Sequence, residues 1–184
     1  LKEWKKGIEK LKEERKNFFH IISMPRGCTA HDMEVECEKL QDKKRQKVDL
    51  LVSDYLNIMR PNMVQYNTKD WKSQVDIAWE LKEVATDFCN EGLTIWTGNQ
   101  VTDAAEGLSE LKKGHLKYGR GILEVANVVV GLVQSQDDSL EDIMRLQSIK
   151  LRDVEKSESI VIRPNYDIMV LDDEERKITT QTKK

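Results

Sequence analysis

The residues of this chain best suited to chemistry are two histidines and a cysteine near its start. His20 and His31 lie on either side of Cys28, and Asp32 directly follows His31. Zinc sites hold four ligands at characteristic spacings, which this set lacks. A nucleophilic Cys28 would need a base and a third group to orient that base, and no motif supplies them. We therefore expect no catalytic residue, no metal ligand and no cofactor.

A glycine-rich stretch could in principle hold a phosphate. Gly114, Gly119 and Gly121 lie among four basic residues, which are Lys112, Lys113, Lys117 and Arg120. A P-loop would follow a strand and end in Gly-Lys-Ser/Thr, and the stretch shows neither feature. We expect a kink or loop between two helix halves, and no small-molecule substrate.

A basic cluster is the best candidate for a binding surface. Five positive charges fall within nine residues, at Lys39, Lys43, Lys44, Arg45 and Lys47. They form either a solvated helix face whose side-chain stems cover apolar surface, or a contact with an acidic partner or acidic lipids. Nucleic acid is not expected, because the chain carries a net charge of −3 and no aromatic residues interleave with the cluster.

Composition favours long helices. Of the 184 residues, 39% are hydrophobic and 34% are charged, and only three are proline. The three cysteines form neither a disulfide framework nor a metal finger, which favours a reducing compartment. No stretch reaches the roughly 18 to 20 apolar residues of a membrane span. We expect a cytoplasmic protein, peripheral at membranes if the lipid alternative holds.

Helical periodicity is clearest at the start of the chain. The stripe spaced four, three, four, three and four apart consists of Trp4, Ile8, Leu11, Arg15, Phe18 and Ile22. Similar patterns predict helices over 31–60, 69–97, 100–134 and 139–156. Thr29 and Asp32 have the spacing of a capping box for the second helix. Residues 160–162 and 168–171 read as two short strands around a turn.

These patterns together predict an all-α protein. We expect an elongated helical bundle or antiparallel coiled coil of about five helices over residues 1–156, and an extended or disordered tail over 157–184. The function expected is a non-catalytic scaffold or adaptor that binds a protein partner or a second copy of itself. One alternative is a BAR-like dimer that binds acidic membranes through the basic cluster. Another exposes the apolar segment 122–133 to a membrane or partner.

Overall fold

The computed structural model describes residues 19–63, 70–116, 119–152, 159–168 and 170–173. Helices and strands alternate along them as far as residue 151, and two further strands follow, so the prediction of an all-α bundle or coiled coil is wrong. The helices are α1 (Ala30–Lys44), α2 (Asp70–Asp87), α3 (Gly119–Val125) and α4 (Gln136–Leu140). The strands are β1 (Leu50–Ser53), β2 (Thr94–Thr97), β3 (Val128–Val133), β4 (Met144–Leu151), β5 (Ile160–Asn165) and β6 (Val170–Asp173). Short 3₁₀ turns lie in the connections at Leu56–Ile58, Phe88–Asn90, Asp103–Ala105 and Lys113–His115.

The strands form two sheets. β1 and β2 pair in parallel, with α2 as the crossover between them, as parallel strands require. The other sheet is antiparallel in the order β3-β4-β5-β6. Each sheet has its own buried cluster, and α3 contributes to both, since Val125 joins the first cluster and Leu123 joins the second.

The first buried cluster lies between α1, α2 and one face of the parallel pair. Leu51 and Ile95, which are directly opposite each other in the register, pack against it. Its buried members include Cys37 of α1, Ile77 and Leu81 of α2, and Leu56 and Phe88 of the connections after β1 and α2. This packing sets where the two parallel strands end.

The predicted helix over 31–60 is a helix only in its first half. The capping box is confirmed: the Asp32 N–H donates to Thr29 Oγ1 at 3.1 Å, and the Thr29 N–H donates to Asp32 Oδ2 at 2.8 Å. α1 ends at Lys44, and Arg45 takes the left-handed conformation with φ of 51°. The apolar run from Leu50 to Val52 is a strand, because a short run of this kind fits a buried strand as well as a helical stripe.

The predicted helix over 69–97 likewise splits into α2 and β2. Gly92 has a φ of +79°, and the Leu93 N–H donates to Ala85 O at 2.8 Å, which turns the chain back toward β2. Trp71 and Trp79 both lie on α2 and are half exposed.

We expect Gly92→Ala to lower the free energy of unfolding by about 1–3 kcal/mol, since the left-handed conformation costs an L-residue about 1–2 kcal/mol and the new methyl group adds a steric term. An added Cβ would lie 3.0 Å from the backbone oxygen of Ala85, which has little freedom to move. Gly107→Ala is the matched control, because Gly107 has a φ of +70° but no atom within 4 Å of the added Cβ. Urea unfolding of both variants measures the difference, and equal losses would contradict the steric argument.

The predicted helices over 100–134 and 139–156 are mostly strand and loop. The apolar segment 122–133 is divided between α3 and β3, with Leu123, Val125 and Val133 buried in the cores. It is therefore no single apolar helix available for insertion. β-Branched residues dominate the start of β3, and their preference for strands prevails over the helical periodicity. The helix expected to begin at Ser139 is replaced by α4, which Ser135 caps.

The strands expected at 160–162 and 168–171 correspond to β5 and β6, which pair antiparallel. They belong to the larger sheet, since Met144 of β4 is paired with Ile162 of β5. The predicted domain boundary between 156 and 157 stays a prediction, and this pairing spans it.

The stripe that opens the chain predicts a helix there. Residues 1–18 of that stripe lie outside the residues that the structure describes. Among the helices that the structure describes, none is long and apolar enough to cross a membrane.

A buried ion pair ties α4 to β4. The Asp138 side chain is only 3% exposed and accepts hydrogen bonds from Arg145 Nη2 at 2.7 Å and Arg145 Nε at 3.0 Å. It also accepts from the Ser135 N–H at 3.1 Å, which completes a capping box. The Arg145 guanidinium, followed by the Ser135 N–H, lowers the pKa of Asp138 to about 2.

This lowered pKa makes stability depend on acid pH. A carboxyl group whose pKa falls on folding stabilises the native state above its unfolded pKa, and that contribution disappears as the pH falls through the folded value of about 2. We expect about 1–2 kcal/mol to be lost between pH 5 and pH 2, allowing for solvent screening at the partly exposed Arg145. Urea unfolding across this range should show a smaller decline in Asp138→Asn. An identical pH dependence in both proteins would contradict the assignment.

Candidate functional site

The carboxyl ends of β1 and β2 lie side by side. Ser53 and Thr97, the last residues of the two strands, are register partners. Asp54 follows Ser53, and Gly98, Asn99 and Gln100 follow Thr97. In open α/β sheets, ligands bind in the crevice beyond the carboxyl ends of parallel strands. This edge, defined as residues 53–55 and 97–100, is therefore the place where the fold favours a ligand.

Contacts between the two connections hold the edge together. The Leu56 N–H donates to Gly98 O at 3.3 Å, across the gap between the connections. A Cβ added to Gly98 would lie 3.4 Å from Tyr55 Cβ, which shows how near the two backbones are. The residues that follow the strands therefore form one continuous surface.

The alternation of side chains directs Asp54 to solvent. Ser53 is buried, and its Oγ donates to Met59 Sδ at 3.7 Å. Asp54, the next residue, is exposed, as are Thr97 and Gln100 across the edge. The edge thus combines an accessible carboxylate with neutral polar side chains. Oxygen ligands of this kind suit a hard cation such as Mg²⁺.

A metal bound here would need ligands from outside the protein. Among the described residues, no group of three or more histidine, cysteine or acidic side chains is arranged to hold an ion. Mg²⁺ fits this limitation, because it usually binds one or two carboxylates together with substrate phosphates and waters. A single exposed carboxylate is consistent with that mode and does not suit a structural metal.

Three of the four residues first considered for chemistry have ordinary structural or surface positions. Asp32 is engaged in the capping box, and Cys28 is buried. Burial, with a further contribution from Asp32, raises the pKa of the Cys28 thiol, which disfavours the thiolate that a nucleophile requires. His31 is exposed on α1, with Nδ1 3.3 Å from Glu34 Oε2.

The basic cluster lies at the end of α1 and just beyond it, and all five side chains are exposed. Lys39 forms an ion pair with Glu36 at 2.7 Å, and Lys47 with Glu91 at 2.8 Å. Lys43 and Lys44 occupy the last turn, where the helix dipole favours positive charge. Contact of these residues with an acidic partner stays a prediction.

The glycine-rich stretch does not build a phosphate loop. Gly114 lies in a 3₁₀ turn, and Gly121 packs inside α3 against Val75 of α2. Nearby, Lys150 Nζ donates to the Leu123 and Ala126 carbonyl oxygens at the end of α3, so its ammonium group caps that helix. Burial lowers the pKa of Lys150.

An acidic cleft of about 520 Å³ lies between α1 and α2. The Asn62 N–H donates to both oxygens of Glu80 at 2.9 and 3.0 Å. Burial raises the pKa of Glu80, and the neighbouring charges of Asp76 and Glu83 add to this effect. Three of its carboxylates, those of Asp32, Glu34 and Glu80, already have hydrogen-bond partners.

Comparison with known proteins identifies the fold. No family model matches the sequence, and no curated protein sequence matches it. One solved ATPase domain superposes with a TM-score of 0.72 over 92% of this chain, at 14% identity. A DnaB-like replicative helicase, solved in a study of its interactions with primase, gives 0.64 over 86%, also at 14% identity. The fold is that of helicase ATPase domains.

The chain spans only part of these structures, 60% of the ATPase domain and 42% of the helicase. The resemblance nevertheless overturns several expectations. A non-catalytic helical scaffold, with its BAR-like and apolar-segment alternatives, does not have this fold. The expectations of no enzyme, no small-molecule substrate and no nucleic-acid partner are overturned with it, because this fold occurs in helicase ATPase domains.

The sequence analysis did not single out Asp54 of the carboxyl edge. Its neighbours Leu51, Tyr55 and Ile58 fitted a helical stripe, which concealed a short apolar strand ending in an acid. The run Leu50-Leu51-Val52 followed by a polar residue and an aspartate was the available signal. Such a run cannot be distinguished from a buried helix segment by periodicity alone.

Proposed function

We propose that this chain forms the cation-binding side of a nucleoside triphosphate site in an ATPase of the helicase type. Asp54 would bind Mg²⁺ through its carboxylate, and the exposed polar residues at the end of β2 would lie beside the terminal phosphate. The observation that carries the proposal is the position of Asp54, exposed at the carboxyl end of a parallel strand in a fold shared with ATPase domains.

The chemistry of phosphoryl transfer supports this role. In P-loop nucleotidases, an aspartate that follows an apolar strand helps to hold the Mg²⁺ that bridges the phosphates, and the metal neutralises the charge that develops during transfer. The Gly-Lys-Ser/Thr loop that surrounds the phosphates does not occur in these 184 residues. We therefore assign the metal carboxylate to this chain, and not the phosphate cradle, and expect its own affinity for nucleotide to be weak.

Paramagnetic NMR can test weak binding at a defined place. With ATP present, Mn²⁺ in place of Mg²⁺ should broaden the amide signals of residues 53–55 and 97–100 before other signals, and excess Mg²⁺ should reverse the effect. Broadening confined to the acidic cleft around Glu80 and Glu83 would contradict the proposal. So would broadening at the edge that is equally strong without ATP, because a lone carboxylate needs the phosphates to complete the coordination.

A further inference from the structure

The antiparallel sheet has an outer face that is apolar. Val128, Val130 and Leu132 alternate along β3 and are 51%, 44% and 52% exposed. Leu132 is the register partner of Leu146 in β4, and Leu146 is the register partner of Ile160 in β5, which is 52% exposed. Register partners lie on the same side of a sheet, so the five side chains form one surface across three strands. This surface is called the open face.

The opposite side of the same strands is covered, and it holds their charged residues. Val133 belongs to the second buried cluster, and Val129 packs against that cluster. Arg145 is the register partner of Val133, and Lys150 is the register partner of Val129, so both lie on the covered side. Arg163 joins them, since its strand neighbour at position 161 is the register partner of Arg145. The open face therefore carries no charged residue from β3, β4 or β5, whose residues are all described.

The pattern of β3 is unusual for a sheet with one side in water. Such strands normally alternate apolar and polar residues, whereas apolar residues occupy both sides of β3. The open face is bounded beyond Ile160, where Ile162 is 5% exposed and the Tyr166 hydroxyl donates to Met144 Sδ at 4.0 Å. Over β3 and Ile160, the exposed fractions show that no described element covers it. Its composition is that of a surface buried against another apolar surface.

We propose that two copies of this chain pack their open faces together across a two-fold axis. In such an interface the same surface is used by both copies, so that surface must be complementary to itself. An uncharged face meets this requirement, because the two-fold axis brings no like charges together. The interfaces of homodimers are also more apolar than those of transient complexes. A partner recognised by its charge would need opposite charges that the open face does not offer.

The area of the open face is sufficient for a weak dimer. Half-exposed aliphatic side chains offer roughly 80–100 Å² each, so the open face, with Leu171 and Tyr166 at its rim, presents on the order of 600 Å² per copy. Two copies would bury about 1,200 Å² in total, the lower limit of standard interfaces. Sheets packed face to face lie about 10 Å apart, which suits interdigitated side chains of this size.

A smaller apolar row lies on the parallel pair. It consists of Leu50, Val52 and Trp96, which are 52%, 65% and 59% exposed. This row crosses only two strands of four residues each, whereas the open face crosses three strands of six, eight and six residues. The larger surface is therefore the one we assign to the dimer.

Sedimentation equilibrium of the whole chain without nucleotide tests the proposal. We expect a monomer–dimer equilibrium with a Kd on the order of 10 µM, because the interface lies at the lower limit of area. Leu132→Glu should raise this Kd at least about 100-fold, since both copies bring a carboxylate into an apolar interface and like charges meet there. Leu140→Glu is the matched control, because Leu140 is 85% exposed on α4, outside the open face, and its Kd should be unchanged.

Several outcomes would overturn the proposal. A chain that stays monomeric up to about 0.5 mM, or equal Kd values for the two leucine variants, would exclude a dimer through the open face. Dissociation by Val52→Glu and not by Leu132→Glu would place the interface on the parallel pair. A monomer that sediments with vesicles of neutral phosphatidylcholine would identify a membrane surface as the occupant.

A second measurement serves if Leu132→Glu fails to fold, as judged by circular dichroism. In a mixture of isotopically labelled and unlabelled chains, methyl NOEs between copies should connect Leu132 or Val130 with Ile160. Their absence in a sample that sediments as a dimer would contradict the packing. Neither measurement involves nucleotide, so its failure would leave the proposed function standing.

Discussion

Asp54→Asn is expected to weaken Mg²⁺-dependent nucleotide binding by about tenfold or more. Changes to residues that only support metal ligands typically reduce metal affinity about 10- to 100-fold, and Asp54 is proposed to contact the cation directly. Asparagine keeps the shape of the side chain but offers an uncharged oxygen. Titration of ATP in Mg²⁺ and in EDTA, followed through the amide shifts of residues 97–100, measures the loss.

The matched control is Asp49→Asn. Asp49 is an exposed aspartate at the opposite end of β1, and its backbone oxygen accepts a hydrogen bond from the Thr94 N–H at 3.2 Å. The substitution removes the same charge from the same strand without altering the carboxyl edge. Its nucleotide affinity should equal that of the unsubstituted chain. Equal losses in both variants would mean that net charge, and not coordination by Asp54, determines binding.

The connections that form the carboxyl edge follow two strands that a packed core holds in place. The core beneath them orients β1 and β2, whose inward side chains Leu51 and Ile95 pack against the first buried cluster. At 14% identity, the likeness to a solved ATPase domain concerns the fold and assigns no role to the residues of the edge.

Local signals in the sequence predicted local structure well. Thr29 and Asp32 form the predicted capping box, because both hydrogen bonds depend on residues only three apart. The strands β5 and β6 were likewise predicted from β-branched residues flanking a turn.

Longer-range features could not be predicted in this way. Apolar residues at helical spacing in 48–58 and 88–95 agree with helix over a stretch as short as one strand, and only the pairing of Leu51 with Ile95 selects the sheet. Two interruptions carried the correct information: the lysines at 43 and 44 mark the end of α1, and Gly92 marks the end of the turn after α2. The carboxyl edge exists only once β1 and β2 are adjacent, so no spacing in the sequence identifies it.

The second large effect is expected at Phe88, which is 1% exposed at the junction of α2 and β2. Phe88→Ala should lower the free energy of unfolding by about 3–5 kcal/mol, because the change removes a buried ring and leaves a cavity that the surrounding core fills only in part. For a chain of this size, such a loss lowers Tm by roughly 10 °C. Thermal unfolding followed by circular dichroism measures the shift.

Phe19→Ala provides the matched comparison, since the same ring is removed from a side chain that is 54% exposed. An exposed substitution of this kind usually changes stability by less than about 0.5 kcal/mol.

Phe88 O also accepts hydrogen bonds from the Glu91 and Gly92 N–H groups, which start the turn toward β2. A change in packing at Phe88 should therefore alter the conformation of the carboxyl edge. Phe88→Leu retains enough volume to stay folded, and we expect it to shift the amide signals of residues 97–100. A large loss of stability in Phe19→Ala, or an unperturbed edge in Phe88→Leu, would show that the first buried cluster does not position the proposed site.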